Sequence, residues 1–395
     1  ARQPPVAPVV AFGEGLPERT VRGIVLARLA NLMEGHAAVT PALARAVATM
    51  LDGRALPHVP AHGAGMAGEI VPLAHLFAPL AQDFPLAEKE ALSLISGSPV
   101  AAALVADTAR VARRRLDLMD QVFALSIEAL GAPLDAYDPA LGALWQDPDE
   151  RDALAALHPL IGGTMPRRPY QAPVSWRILP RVLGRFRRAL RQADEVAASG
   201  LSAVTDNPVY LPPDERHPLG RVLSNGGYHD AKAAPALDAL AAAQADLALL
   251  AERHTAKLMD GNVSRLPHQL MAGEGYLGTL GFAAAGFAEE ARDAARTTLI
   301  PGSESGGFGQ NDTATPVMHA WRRQRDTGRA AESALAVLAC VCRQAFHVTG
   351  MEPPAALAEI FDEVAETFPP VVDARPLAGG VEALVGRWRA RTEPE

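Results

Sequence analysis

The sequence predicts an all-α protein, a long antiparallel helical bundle, and three observations carry that prediction. Alanine and leucine dominate a chain that is 49% hydrophobic but only 5% aromatic. Few stretches alternate with period two and β-branched residues are thin, so strands lack their pattern. Long Ala/Leu-rich segments recur between short Gly/Pro/Asn/Asp clusters throughout the 395 residues. With no internal repeat, low-complexity tail or linker, residues 1–395 read as a single helical domain with room for a sizeable core.

Taken in order, apolar Val21, Ile24, Val25, Ala27, Leu29 and Leu32 mark a helix over 17–33. Thr40-Pro41 sets a capping hydroxyl before a proline at the first helical position, and Asp52-Gly53 stops that helix after Leu51. Residues 54–68 form a Gly/Pro/His loop, and a helix follows from Glu69. The region 87–130 is helical but broken at Ser96-Gly97-Ser98-Pro99, where proline frees backbone carbonyls. Residues 131–172 are proline-rich and irregular apart from a short helix near 149–157. Helical stretches follow at about 175–200, 230–260 and 271–297, and Thr315-Pro316 opens another that runs to about 347.

Charge narrows the function classes. Thirty-seven Lys+Arg against 45 Asp+Glu leave a net charge of −8, which is not the basic surface that nucleic-acid binding requires. Cys340 and Cys342 lie two apart on a helix and point in different directions, so neither a disulfide nor a metal pair is expected. Free thiols suit a reducing cytoplasm, the expected location. Apolar runs such as 276–288 fall short of the ~18 residues of a membrane span, and no signal-peptide pattern opens the chain. Neither membrane nor nucleic acid is therefore an expected partner. The 11 histidines lack metal-ligand spacing, and no metal site is expected.

The chemistry-bearing candidates sit where glycine-rich turns meet helix starts, because exposed N–H groups there can hold an anion. In 224–230 (Ser-Asn-Gly-Gly-Tyr-His-Asp), Tyr228 and His229 fall at the mouth of the following helix. A helix N-terminus favours a neutral imidazole able to act as a base; the plainer alternative is a turn with His229 as a cap. Arg177 offers a planar fork for a carboxylate, or else a surface salt bridge. It precedes a helix whose exposed face carries Arg181, Arg185, Arg187, Arg188 and Arg191. Gln310-Asn311-Asp312-Thr313 follows the glycine-dense 302–309 and reads as a lid or a binding loop. Thr205-Asp206-Asn207-Pro208 is most simply a turn. The run Gly63-Ala64-Gly65-Met66-Ala67-Gly68 lacks both the preceding strand and the Lys-Ser/Thr of a phosphate-binding loop.

In their order along the chain, these segments resemble the histidine and aromatic amino-acid ammonia-lyase superfamily. The family's Gly-Ser-Val-Gly-Ala-Ser-Gly-Asp-Leu-Ala-Pro-Leu-Ala-His is similar to 63–75, which ends Glu69-Ile70-Val71-Pro72-Leu73-Ala74-His75. Its Lys-Glu-Gly-Leu-Ala-Leu-Ile-Asn-Gly-Thr resembles 89–98, and its Gln-Asp-Pro-Tyr-Ser-Leu-Arg resembles 171–177. Thr-Asp-Asn-Pro is intact at 205–208; Ser-Gly-Gly-Asn-Phe-His resembles 224–229, Gln-Glu-Asp resembles 310–312, and 373–377 resembles the closing segment. The resemblance covers nearly the whole chain. It implies the helical fold and a homotetramer with pockets shared between subunits, a form that alanine-rich helices suit.

The family's electrophile is a methylidene-imidazolone made by cyclising Ala-Ser-Gly with loss of the serine hydroxyl. Here the loop holds no serine between Gly63 and Glu69 and is one residue shorter, so the group is expected to be absent and no cofactor is expected. Ser96 stands for the catalytic asparagine, Val174 for a tyrosine, Gly227 for asparagine and Asn311 for glutamate, and the family's N-terminal lid segment has no counterpart in this chain. From the 224–230 turn and the resemblance together, the expected catalytic residues are Tyr228 and His229, at the helix mouth, and Glu69, in place of the family's aspartate. The expected substrate-binding residues are Arg177, Gln310, Asp312, Ser96, His75, Asn225 and Lys232. Gly65, Met66, Ala67 and Gly68 form the loop at the prosthetic-group position.

Three functions are compatible with this sequence. The first is a divergent enzyme doing acid–base lyase, dehydratase or cyclase-type chemistry on a small amino-acid-like or carrier-bound substrate. The second is a non-catalytic binding or scaffolding homologue. The third is an ordinary ammonia-lyase whose modified residue and lid are missing from the sequence as written.

Overall fold

In a computed structural model of the chain, which describes residues 9–53, 55–65, 67–163, 165–302 and 309–394, four long helices form the spine. The elements run α1 (Glu18–Met33), α2 (Pro41–Thr49), α3 (Ile70–Asp83), α4 (Glu90–Leu94), α5 (Pro99–Leu130), α6 (Ala140–Trp145), α7 (Pro148–Leu157), α8 (Val174–Arg177) and α9 (Leu179–Ser202). A hairpin, β1 (Val209–Leu211) and β2 (Arg221–Leu223), precedes α10 (Ala233–Met259), α11 (Gly261–Ser264), α12 (Leu280–Ala294), α13 (Val317–Thr349), α14 (Ala358–Thr367) and α15 (Ala378–Thr392). Helix α10 packs on α13, α12, α9 and α5, while α5 packs on α9, α13 and α1. The core is correspondingly one cluster of small aliphatics, with Trp176, Trp388, Phe77, Phe123, Phe186 and Phe346 as its large members.

The helix ends follow their local chemistry. Thr40 Oγ1 accepts the Leu43 N–H at 3.3 Å, with Pro41 at the first helical position. Gly131 closes α5 at φ 61°, its N–H going to Glu128 O while the Ala132 N–H goes to Ile127 O. Asp147 caps α7 through the Asp149 and Glu150 N–H groups. The expected cap at Thr315 is not made: α13 begins at Val317 with no side-chain capping bond. Residues 271–279 are not helical, because a left-handed turn at Gln269 and Leu270 and three glycines between 273 and 278 delay α12 until Leu280.

The basic face expected on α9 is spent on ion pairs. Arg187 binds Asp120 of α5 at 2.5 Å, Arg188 and Arg191 bind Asp149 of α7 at 3.2 and 2.8 Å, and Arg185 pairs with Asp246 of α10. Cys340 and Cys342 are both buried and free on α13. Among the described residues two stretches, Glu90–Leu130 and Ala233–Met259, are long and apolar enough by composition to cross a membrane. Their most apolar windows are 78% and 67% buried inside the bundle, where they form its core. At the far end, buried Arg115 binds Glu332 at 2.8 Å and also Glu393, which ties α15 to α5 and α13.

Candidate functional site

Two helix starts and two turns meet around a cavity of about 120 Å³, lined by Ala67, Gly68, Ser96, Asn207, Tyr228 and Asn311 among others. Gly68 takes φ 62°, and a Cβ there would stand 3.0 Å from Tyr228 Cδ2. Glycine is thus required twice, for the left-handed backbone and for the approach of the ring. Tyr228 is thereby seated against the loop that precedes α3, with the cavity beside it.

Glu69 lies next to Gly68 but its carboxylate turns inward. Its two oxygens accept the Val100 and Ala101 N–H groups at 2.5 and 2.7 Å, capping the 32-residue helix α5 from a distance of 31 positions. Burial raises its carboxyl to about 8, against the pull of these two N–H donors. Ser98, the residue in sequence position to cap α5, makes no such bond. Both Glu69 oxygens are therefore committed to the fold, which argues against the catalytic role expected for it.

Thr205-Asp206-Asn207-Pro208 is more than the turn expected from its sequence. Asp206 meets Arg28 of α1 in an ion pair with both side chains fully buried, Nη2 to Oδ1 at 2.6 Å and Nη1 to Oδ2 at 3.2 Å, and Arg28 also donates to Ser93 O. Thr205 Oγ1 accepts the Ser98 N–H at 3.0 Å. Asn207 donates its N–H to Ser96 Oγ at 2.9 Å, and its Oδ1 accepts the Asn225 N–H at 2.8 Å. Asn225 Nδ2 returns to Asp206 O at 3.0 Å, and its Oδ1 accepts the Gly227 N–H at 2.7 Å. The buried ion pair and the Thr205, Asn207 and Asn225 hydrogen bonds around it thus join the kink before α5, the loop after α9 and the turn that carries Tyr228.

Of the residues expected at the site, Glu69, Ser96, Ala67, Gly68 and Tyr228 come together around the cavity, with Asn225 as the brace behind Asn207. Met66 lies outside the described residues, as do 303–308 of the expected lid. Gly65 is exposed and a Cβ on it would meet open space. The others are elsewhere. His75 does not line the cavity and accepts the Ala11 N–H on Nε2 at 3.1 Å; burial, with His58 nearby, lowers its pKa. His229 does not line the cavity. Lys232 extends to Ser199 Oγ at 2.8 Å on the face of α9. Arg177 is exposed and donates to Ala172 O at 3.0 Å, while Gln310 and Asp312 are exposed beside the cavity-lining Asn311. Asn207 and Asn311 were not expected as lining residues, although both stood inside quoted motifs. Among the described residues no group of three or more His, Cys, Asp or Glu could hold a metal ion.

The fold and cavity define a helical-bundle protein whose candidate site is built from loops at the ends of its long helices. The model of the aromatic amino acid lyase family matches residues 8–83 and 80–366, and the chain belongs to that family. A histidine ammonia-lyase of Symbiobacterium thermophilum is 30% identical over 95% of this chain and 79% of its own length. One of Aromatoleum aromaticum is 32% identical over 65% of this chain, and that match spans about half (54%) of the relative's length. In fold alone, the chain is similar to the histidine ammonia-lyase of Trypanosoma cruzi (TM-score 0.85, 20% identity, covering 97% of this chain and 78% of that one). It is likewise similar to the ergothionase of Treponema denticola (TM-score 0.87, 18% identity, covering 98% and 83%).

Proposed function

We propose that this protein is a divergent ammonia-lyase-fold enzyme that works without the methylidene-imidazolone electrophile. It would carry out acid–base lyase, dehydratase or cyclase-type chemistry on a small amino-acid-like or carrier-bound substrate. The observation that carries this reading is the loop against Tyr228: Gly63, Ala64, Gly65, Met66, Ala67 and Gly68 offer no hydroxyl to eliminate, so they do not fit the family's prosthetic group. In its place stands a phenol packed on Gly68 at the cavity wall. Tyr228 is the group that exchanges a proton with the substrate, and the Asn207 and Asn311 amides orient it. Glu69 contributes by holding α5 and the loop in register.

The cavity also supports a shared pocket. Sites for small ligands usually enclose about 300–1,000 Å³, and this one holds about 120 Å³. Exposed Arg177, Gln310 and Asp312, and the apolar Phe282 and Leu299 at 81% and 78% exposure, suit a pocket completed by further copies in a homotetramer.

Intact mass comes first, since agreement with 41.6 kDa leaves no residue beyond this sequence to form the group. Tyr228→Phe is then expected to keep the fold and to lose about 100-fold or more in turnover on a substrate found by screening. Full activity in that variant would refute the assignment. A non-catalytic homologue is favoured by one observation, the commitment of both Glu69 oxygens to α5; it predicts binding without turnover in the unmodified chain.

A further inference from the structure

Away from the cavity, the segment before α8 meets the turn after α11 in an arrangement that packing alone does not require. Tyr170 is 51% exposed, and its oxygen accepts a hydrogen bond from Arg168 Nη2 and another from Arg265 Nη2, each at 3.2 Å. The two guanidinium groups also lie over its ring, 5.0 and 4.9 Å from the centroid. Arg168 is fixed by a further bond from Nη1 to Val263 O at 2.6 Å. Arg265 reaches the ring from φ 64°, a left-handed conformation that a residue with a Cβ adopts at a cost. Asp260, at the start of α11, is engaged in capping that helix through the Asn262 N–H.

Two like charges brought to one oxygen repel, and an anion beside them removes that repulsion. With its oxygen accepting from both arginines, the phenol still has its own O–H to donate. Two guanidinium charges and a phenol O–H therefore meet at one exposed side chain. We propose that Arg168, Tyr170 and Arg265 form an oxyanion-binding site, taking the carboxylate or phosphate group of an acidic ligand. The site is separate from the cavity and does not depend on the cavity being catalytic. The hydrogen bonds from Arg168 and Arg265, with their charge, already hold the Tyr170 hydroxyl below its ordinary range.

That property supplies the readout. The phenolate absorbance of the full-length protein is titrated with and without Tyr170→Phe, and the difference isolates Tyr170 from the other four tyrosines. The titration is repeated with inorganic phosphate, with acetate, and with chloride at equal ionic strength. A bound oxyanion neutralises the arginines, so phosphate or acetate is expected to raise the Tyr170 midpoint where chloride does not. The anion that acts at the lower concentration identifies the group. Arg265→Gly accepts the same backbone, so its Tm should be unchanged or higher. Its Tyr170 midpoint should move back toward about 10, and its anion affinity should fall about tenfold for one lost charge-assisted contact. The proposal is overturned if neither anion moves the midpoint beyond the chloride control, or if Arg265→Gly leaves both midpoint and anion response unchanged.

Discussion

At Gly68 the backbone and Tyr228 make separate demands on one residue. Gly68→Ala would meet a left-handed φ and a ring 3.0 Å from the new methyl group together. We expect a loss of about 1–3 kcal/mol in urea unfolding, and displacement of Tyr228 as well. A variant with unchanged stability would mean that the ring yields freely and that Tyr228 is not fixed by this contact. Gly68 and Tyr228 were legible as motif members, yet their contact was not, since it joins residues 160 positions apart. The hold on Glu69, expected by resemblance to act in the site, was illegible for the same reason, since the Val100 and Ala101 N–H groups that its oxygens accept are distant in sequence. Arg265 gave no signal, because nothing in Val-Ser-Arg-Leu-Pro marks its φ or its proximity to Tyr170.

Among the elements, α5 depends on a cap donated by the start of α3. Burial places the Glu69 carboxyl at about 8 in the fold against 4.5 for the free group, so the native state holds a proton that the unfolded chain releases. Stability from this site is then complete below pH 4.5 and falls as pH rises toward 8, by about 1.4 kcal/mol per unit at the steepest. Chemical denaturation across pH 5–9 should show this decline, and Glu69→Gln should flatten it. The C-terminal helix behaves oppositely. Burial pushes Glu393 up, but Arg115, Arg329 and Arg325 outweigh it and hold the carboxyl at about 2. Its contribution is present above pH 4.5 and is lost as pH falls toward 2. Glu393→Ala would leave Arg115 with one fewer partner in the interior and cost about 3–5 kcal/mol; melting that matches the parent would show the pair to be dispensable. Long helices were readable because alanine and leucine run between caps, prolines and glycines. Helices α14 and α15 went unread, as did the β1–β2 hairpin, whose three-residue strands are too short to show a period.

For the molecule as a whole, the residues expected to bind substrate divide between a small inner cavity and the outer surface. Light scattering is expected to give a mass near four times 41.6 kDa, and activity should fall on dilution below the assembly concentration. A monomer with full activity would place the whole site within one chain. The family and the helical fold were legible in the motifs taken together, but linear spacing cannot tell which of them face inward.

The Arg28–Asp206 pair has one more consequence, for how this protein can change. Arg28, Asp206 and Glu69 are bound into a frame, whereas Ala67, Leu92 and Asn311 face the cavity as replaceable panels. In a randomised library, most variants at the panel positions should stay soluble and folded, and few at the frame positions should. New specificities would therefore arise by exchanging the panels while the frame that carries them stays fixed.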